Sequence, residues 1–259
     1  MSSSYASPFD LSGRVAIVTG GNRGIGYGIA EGLVRAGAQV LLVGRDRERG
    51  AQAAQELSRL GTGVEFGEFD LSDESAPEAM VADCVERFGR LDILVNNAGV
   101  NIRKRPEEYS ILEWHKIVET NLTSVFLCCQ AAFPEMVKAG GGKIVNVSSM
   151  SAVFGLSFAA PYSASKGGVV QLSKSLAVSW AAQNIQVNAI LPGYIDTELT
   201  VRARKDVDGL NERVLSRTPA GRWGVPADLA GLAVLLSGPG SNFITGTAIL
   251  VDGGYASNG

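Results

Sequence analysis

Arg14-Val15-Ala16-Ile17-Val18-Thr19-Gly20-Gly21-Asn22-Arg23-Gly24-Ile25-Gly26 carries an apolar, β-branched run straight into a glycine-rich turn, and an amphipathic pattern continues from it through Ala36. Glycines at these positions permit a tight turn and a close backbone approach. The start of the helix that follows offers free N–H groups and the positive end of a dipole, which together suit a pyrophosphate. Strand, glycine turn and helix in that order form the first crossover of a dinucleotide-binding sheet.

Working outward, similar apolar runs recur at Gln39–Val43, Val64–Phe69, Leu91–Val95, Lys143–Val147, Gln186–Leu191 and Thr247–Val251, with helical patterns between most of them. This alternation predicts parallel strands joined by helical crossovers. The runs are apolar on both faces, so helices should cover both sides of the sheet. The expected fold is α/β, a Rossmann-type doubly wound, seven-stranded parallel sheet, with residues 1–259 forming one domain. The stretch 194–224 is polar and reads as irregular, as expected of a substrate lid.

Composition narrows the function. The 259 residues are 46% hydrophobic and 19% charged, with a net charge of −3, which suits a globular chain with a large core. Basic residues are dispersed, which argues against nucleic acid or an anionic membrane as partner. No run is long and apolar enough to span a bilayer, and residues 1–10 hold no signal-like core. Cys84, Cys128 and Cys129 are odd in number and lack metal-ligand spacing. They read as buried thiols in a reducing, cytoplasmic setting, and no metal site is expected.

Tyr162 has Lys166 four residues after it and Ser149 thirteen before it. The other five tyrosines are followed at the same distance by Phe9, Glu31, Glu113, Glu198 and Gly259, so the pairing is not a habit of composition. Four apart on a helix, Tyr162 and Lys166 share a face. A lysine cation there would favour tyrosinate and let the phenol exchange a proton with a substrate oxygen, while Ser149 hydrogen-bonds that oxygen. His115, the single histidine, lies on a polar helical stretch and reads as solvated.

The glycine pattern Thr-Gly-x-x-x-Gly-x-Gly, Asn96-Asn97-Ala98-Gly99 after the fourth strand, Asn121, Ser149, Tyr162-x-x-x-Lys166 and Pro192-Gly193 appear in that order. Together they resemble the classical short-chain dehydrogenase/reductase family over nearly all of residues 9–255. The resemblance implies a catalytic tetrad of Asn121, Ser149, Tyr162 and Lys166, transfer of the nicotinamide pro-S hydride, and a homotetramer built on helices such as Glu107–Lys138 and Pro161–Gln183. It also implies a cofactor site. Gly20, Asn22, Arg23, Gly24, Ile25 and Gly26 would hold the pyrophosphate side, and Asp70 and Leu71 would border the adenine. Asn97, Ala98 and Gly99 would border the ribose and chain, Ile195 and Thr197 after Pro192-Gly193 would meet the nicotinamide, and Tyr162 and Lys166 would contact the cofactor as well.

NAD-binding chains of this kind carry an acidic residue about twenty positions beyond the glycines, to hold the ribose 2′-OH. Here Gly44 stands at that point, followed by Arg45, with Arg23 in the glycine loop. Two guanidinium groups favour a 2′-phosphate, hence NADP(H) over NAD(H), although Asp46 could reach a 2′-OH. For the substrate, the loop after Gly99 carries Arg103, Lys104 and Arg105 before Pro106, and a carboxylate would find partners in Arg103 and Arg105. With Thr218-Pro219-Ala220-Gly221-Arg222-Trp223-Gly224 downstream, the chain resembles gluconate 5-dehydrogenases and related ketogluconate or deoxygluconate reductases. The expected reaction is reduction of a keto-sugar acid such as 5-ketogluconate. Alternatives are a 3-oxoacyl thioester or a broad range of ketones and alcohols, and, from another class, a redox-sensing NADP(H)-binding protein without turnover.

Overall fold

The computed structural model describes residues 7–258. Seven strands, β1 (Val15–Thr19), β2 (Gln39–Gly44), β3 (Val64–Glu68), β4 (Ile93–Asn96), β5 (Gly142–Val147), β6 (Ile185–Pro192) and β7 (Ala248–Val251), form one sheet in the order β3-β2-β1-β4-β5-β6-β7. Every neighbouring pair is parallel. The fold is therefore the Rossmann-type α/β sheet that the alternating runs predict.

Side-chain alternation along β1 divides the core in two. Ala16 and Val18 join Val40 and Leu42 of β2 under α1 (Gly24–Arg35), α2 (Arg47–Leu57) and α9 (Ala227–Ser237). Val15 and Ile17 join Leu41 and Val43 under α3 (Ala76–Phe88), α5 (Ser124–Lys138) and α6 (Ala160–Trp180). Because both faces are buried, both sets of strand residues are apolar, and this explains the unbroken hydrophobic runs. Cys84, Cys128 and Cys129 are free and buried in the second layer. Burial pushes the Cys84 and Cys128 thiols up to about 12, so they act as core hydrophobes.

The chain reverses winding direction between β1 and β4. Their carboxyl ends diverge there and open a crevice, the usual ligand position in such sheets. The glycine turn lies on one side of it and Asn97–Gly99 on the other.

Two expectations change. Glu107–Lys138 is not one continuous helix. A single 3₁₀ turn at Pro106–Glu108 precedes α4 (Ile111–Val118), which Ser110 caps by accepting from Glu113 N, and a π-helical turn at Glu119–Thr123 separates α4 from α5. The stretch 194–224 is not irregular throughout. It contains α7 (Glu198–Asp206) and α8 (Leu210–Arg217), which bury Ala203, Leu210 and Val214 with Trp223 in a small core of their own. The polar surroundings hide this pattern, because only one residue per turn of α8 faces inward. Among the described residues, no helix is long and apolar enough to cross a membrane.

Candidate active site

At the glycine turn, the missing side chains make room for the main chain. Gly20 has φ +62°, and a Cβ on it would stand 2.9 Å from Asn97 Nδ2. A Cβ on Gly26 would meet the Gly20 carbonyl oxygen at 2.2 Å, so α1 can pack this tightly on the turn only without one. Asn97 ties the two walls of the crevice: its Nδ2 donates to the carbonyls of Thr19 (3.0 Å) and Gly20 (3.2 Å), and its N–H and that of Ala98 both donate to Thr19 Oγ1. The Asn97 side chain thus holds neighbouring strand ends together. Arg23, the N-cap of α1, makes no side-chain cap bond, which leaves the first-turn N–H groups without a side-chain partner. This cradle, with the positive end of a helix and no side chains in the way, fits a pyrophosphate.

The other nominated cofactor residues surround the same crevice. Asn22 packs against Gly44 at the end of β2, where a Cβ would lie 3.3 Å from its amide. Ile25 packs partly buried on the first core layer. Leu71 is buried, whereas Asp70 is exposed and accepts from the Ser72 N–H and hydroxyl. Arg45 Nη1 lies 3.5 Å from Asp70 Oδ2. Asp46 is occupied elsewhere: as N-cap of α2 it accepts from Arg49 N at 3.0 Å. After Pro192, the last residue of β6, Gly193 bonds back to Val251 O. Ile195 is buried, and the Thr197 methyl bounds the space beside Gly24 at 3.4 Å, so the segment that leads into α7 rests on the glycine turn.

Ser149, Tyr162 and Lys166 converge from two elements. Ser148 and Ser149 follow β5 in extended backbone, so their side chains point opposite ways. Ser148 Oγ donates to the Lys166 carbonyl at 2.8 Å and pins α6 to the strand end, while Ser149 Oγ is left on the crevice side and accepts from Ser151 N. Tyr162 stands in the first turn of α6, and Lys166 Nζ lies 5.8 Å from the centre of its ring. The ammonium is 4% exposed and donates to the Val147 carbonyl at 2.8 Å.

The electrostatics differ from the simplest expectation. Burial raises the Tyr162 phenol above its ordinary value, and the Ser149 hydrogen bond and the Arg103 charge only partly offset this. Burial also lowers Lys166, to about 8. A buried lysine bonded to a carbonyl does not by itself hold the phenol low, so Arg103 is the opposing cation here.

Asn121 is wholly buried in the π-helical turn. Its Oδ1 accepts from Val100 N at 2.8 Å, and its Nδ2 donates to Val100 O at 2.9 Å and to Ser165 Oγ at 3.2 Å. The amide thus clamps the loop that begins at Gly99. A Cβ on Gly99 would lie 3.2 Å from Asn121 Oδ1 and 3.6 Å from Lys166 Nζ, so this glycine keeps open the space between the two side chains. A wider turn in mid-helix is a frequent mark of a functional position.

The three cations of the Arg103–Arg105 loop separate cleanly. Lys104 is neutralised by Glu113 at 2.5 Å. Arg105 is exposed at the N-cap of the 3₁₀ turn, where its N–H donates to Glu108 Oε2 at 3.2 Å. Arg103 is half-buried, and its charge acts on both Tyr162 and Tyr194. The Lys104 N–H to Phe158 O bond and the Tyr109 hydroxyl to Ile102 O bond hold this loop in place. His115 is exposed on α4.

Reading by residue type missed an aromatic wall. Tyr194 meets Trp223 and Tyr255 edge-on, at 5.3 and 5.2 Å, Phe154 stacks on Tyr255 at 5.7 Å, and the Arg217 guanidinium lies 4.6 Å over Tyr255. In the sequence Tyr255 stands as a lone aromatic amid small and polar residues, which is the available signal, and in the structure it is 3% exposed. The main-chain groups of Val100 and Val147 left no signal at all.

A family model described as enoyl-(acyl carrier protein) reductase matches residues 20–256. The chain belongs to the short-chain dehydrogenase/reductase family. It is an oxidoreductase of that family, whose named members act on hydroxyl and keto groups. It is 40% identical to gluconate 5-dehydrogenase of Gluconobacter oxydans, over 97% of this chain and 98% of that protein. It is 42% identical to 2-dehydro-3-deoxy-D-gluconate 5-dehydrogenase of Bacillus subtilis, over 96% and 97%. The crystal structure of a gluconate 5-dehydrogenase from Burkholderia cenocepacia, in complex with NADP and tartrate, superposes with a TM-score of 0.92 at 38% identity, covering 96% of this chain and 98% of that one.

Proposed function

We propose that this short-chain dehydrogenase/reductase is an NADP(H)-dependent reductase of a keto-sugar acid such as 5-ketogluconate. The observation that carries the reading is Arg103, a half-buried cation whose field reaches the Tyr162 phenol. A guanidinium there would take a substrate carboxylate by two parallel hydrogen bonds and leave the keto carbon facing the crevice. The relatives named for gluconate and deoxygluconate, and the tartrate in the similar crystal structure, support the same substrate class.

In this reading the cofactor, when bound, supplies the hydride to the carbonyl carbon. Tyr162 Oη gives its proton to the carbonyl oxygen, so the product is a secondary alcohol. Ser149 Oγ donates a hydrogen bond to that oxygen and stabilises the charge that develops on it. Lys166 and Asn121 act behind Tyr162: the ammonium, fixed by Val147 O, reprotonates the phenol through water in the space beside Gly99. The segment containing α7 and α8 is the lid, with Tyr194 and Trp223 on its inner side.

The preference for NADP(H) rests on charge. Gly44 occupies the place of the acidic ribose ligand, the Asp46 carboxylate caps α2, and Arg23 and Arg45 flank the corner where a 2′-phosphate would lie. The buried thiols fit a cytoplasmic protein, and exposed Ile111, Leu112 and Phe126 on α4 and α5 fit a homotetramer built on these helices.

A second reading, reduction of 3-oxoacyl thioesters, is favoured by the description of the family model. Cofactor oxidation by purified protein, followed by nicotinamide absorbance with 5-ketogluconate, 2-dehydro-3-deoxygluconate, an acetoacetyl thioester and an aryl ketone, separates the two. Turnover confined to the keto acids supports the proposal. Turnover confined to the thioester or ketone replaces it with the second reading.

A further inference from the structure

Glu198, the first residue of α7, reaches back to the cofactor side of the crevice. Its Oε2 accepts from Arg23 Nη1 at 3.2 Å and from Arg49 Nη1 at 2.9 Å. Arg23 occupies the N-cap position of α1 and Arg49 lies in the first turn of α2, so two guanidinium groups from two helix starts share a single carboxylate oxygen. Arg45 leaves the same corner, where Gly44 packs against Asn22, and its nearest carboxylate is Asp70 at 3.5 Å. Three arginines and no buried carboxylate thus surround the end of β2.

This arrangement has the form of an anion receptor occupied by the protein's own anion. The bridge is easily exchanged: the three side chains are 41–63% exposed, where ion pairs are screened and contribute little to folding. A phosphate monoester carries about twice the charge of a carboxylate and three acceptor oxygens, so it can satisfy Arg23, Arg45 and Arg49 together.

We propose that Arg49 is a third ligand of the cofactor 2′-phosphate, and that Glu198 is a placeholder which the phosphate displaces. Binding of a 2′-phosphorylated cofactor then frees the start of α7 from the glycine turn, so the lid responds to which nicotinamide cofactor is bound. This rests on the NADP(H) reading above. Arg49 has no counterpart among the residues selected by their position in the glycine motif, because only the fold brings α2 and α7 together.

Calorimetric titration of the purified protein with NADP+ and with NAD+ tests it. We expect wild type to bind NADP+ more tightly. Arg49→Gln should weaken NADP+ by about tenfold and leave NAD+ within about twofold, and Arg49→Lys should recover part of the loss. Glu198→Gln should tighten NADP+ by about threefold and leave NAD+ unchanged. If wild type prefers NADP+ but Arg49→Gln moves both affinities equally, or neither, the proposal falls while the NADP(H) reading stands. Weaker NADP+ binding in Glu198→Gln overturns the placeholder role. Equal wild-type affinities would remove the 2′-phosphate reading itself, and this inference with it.

Discussion

The Lys166 ammonium donates to the carbonyl of Val147, the last residue of β5, at 2.8 Å. A strand end thereby fixes the one buried cation of α6 directly behind the Tyr162 ring, with Asn121 across the space left by Gly99. The cost of this position is desolvation, which lowers the ammonium from 10.5 to about 8.

That shift has two consequences with a defined sign. Because the folded value lies below the unfolded one, the charged lysine costs stability below about pH 8, and the cost is relieved as pH rises from about 8 to 10.5. Denaturant melts of wild type and Lys166→Met should therefore diverge in favour of wild type over that range, by on the order of 1–3 kcal/mol. A constant difference would contradict the buried-cation account. In the reductive direction, kcat/KM should fall above about pH 8 as the ammonium is lost.

Tyr162 gives the most direct chemical test. Tyr162→Phe removes the proton donor and little volume, so turnover should drop by about 10²–10⁴-fold with cofactor affinity nearly unchanged. Ser149→Ala should lower kcat by a smaller factor, since it removes one hydrogen bond to the developing charge. Appreciable turnover in Tyr162→Phe would exclude the proposed donor.

Asp92 anchors the opposite end of the sheet. Its side chain is 3% exposed and accepts from Arg14, from both arms of the Arg90 fork and from Val15 N. Burial pushes this carboxyl up, but those donors outweigh it and hold it below 3.8. Its stabilising contribution is thus present above pH 3.8 and lost as pH falls through the folded value. Asp92→Asn should destabilise the protein by on the order of 2 kcal/mol at neutral pH, with partly exposed arginines limiting the effect. The gap from wild type should close in acid melts.

Much of this molecule is legible in the sequence because its signals are local. Residues 14–26 alone define strand, turn and helix, and the unbroken apolar runs predict a sheet covered on both faces. Tyr162 and Lys166 are readable because helical spacing puts them on one face. What escaped depends on chain segments that only folding brings together. A backbone bond is readable for an asparagine that distorts its helix at 121, but its partner Val100 follows from no local pattern, and α8 hides two inward residues within a charged stretch. The run Arg103, Lys104 and Arg105 looks uniform in sequence, yet Glu113 neutralises the middle residue, the last is exposed, and the charge of the first acts on the phenol.

Arg103 therefore carries the central claim, that this reductase selects its substrate by a carboxylate. The direct measurement is kcat/KM for 5-ketogluconate and for its uncharged methyl ester, in wild type and in Arg103→Gln. We expect wild type to favour the acid and the substitution to lower kcat/KM for the acid by about 10–100-fold while leaving the ester nearly unchanged, with Arg105→Gln close to wild type on both. Equal losses on acid and ester, or no loss on either, would contradict the account.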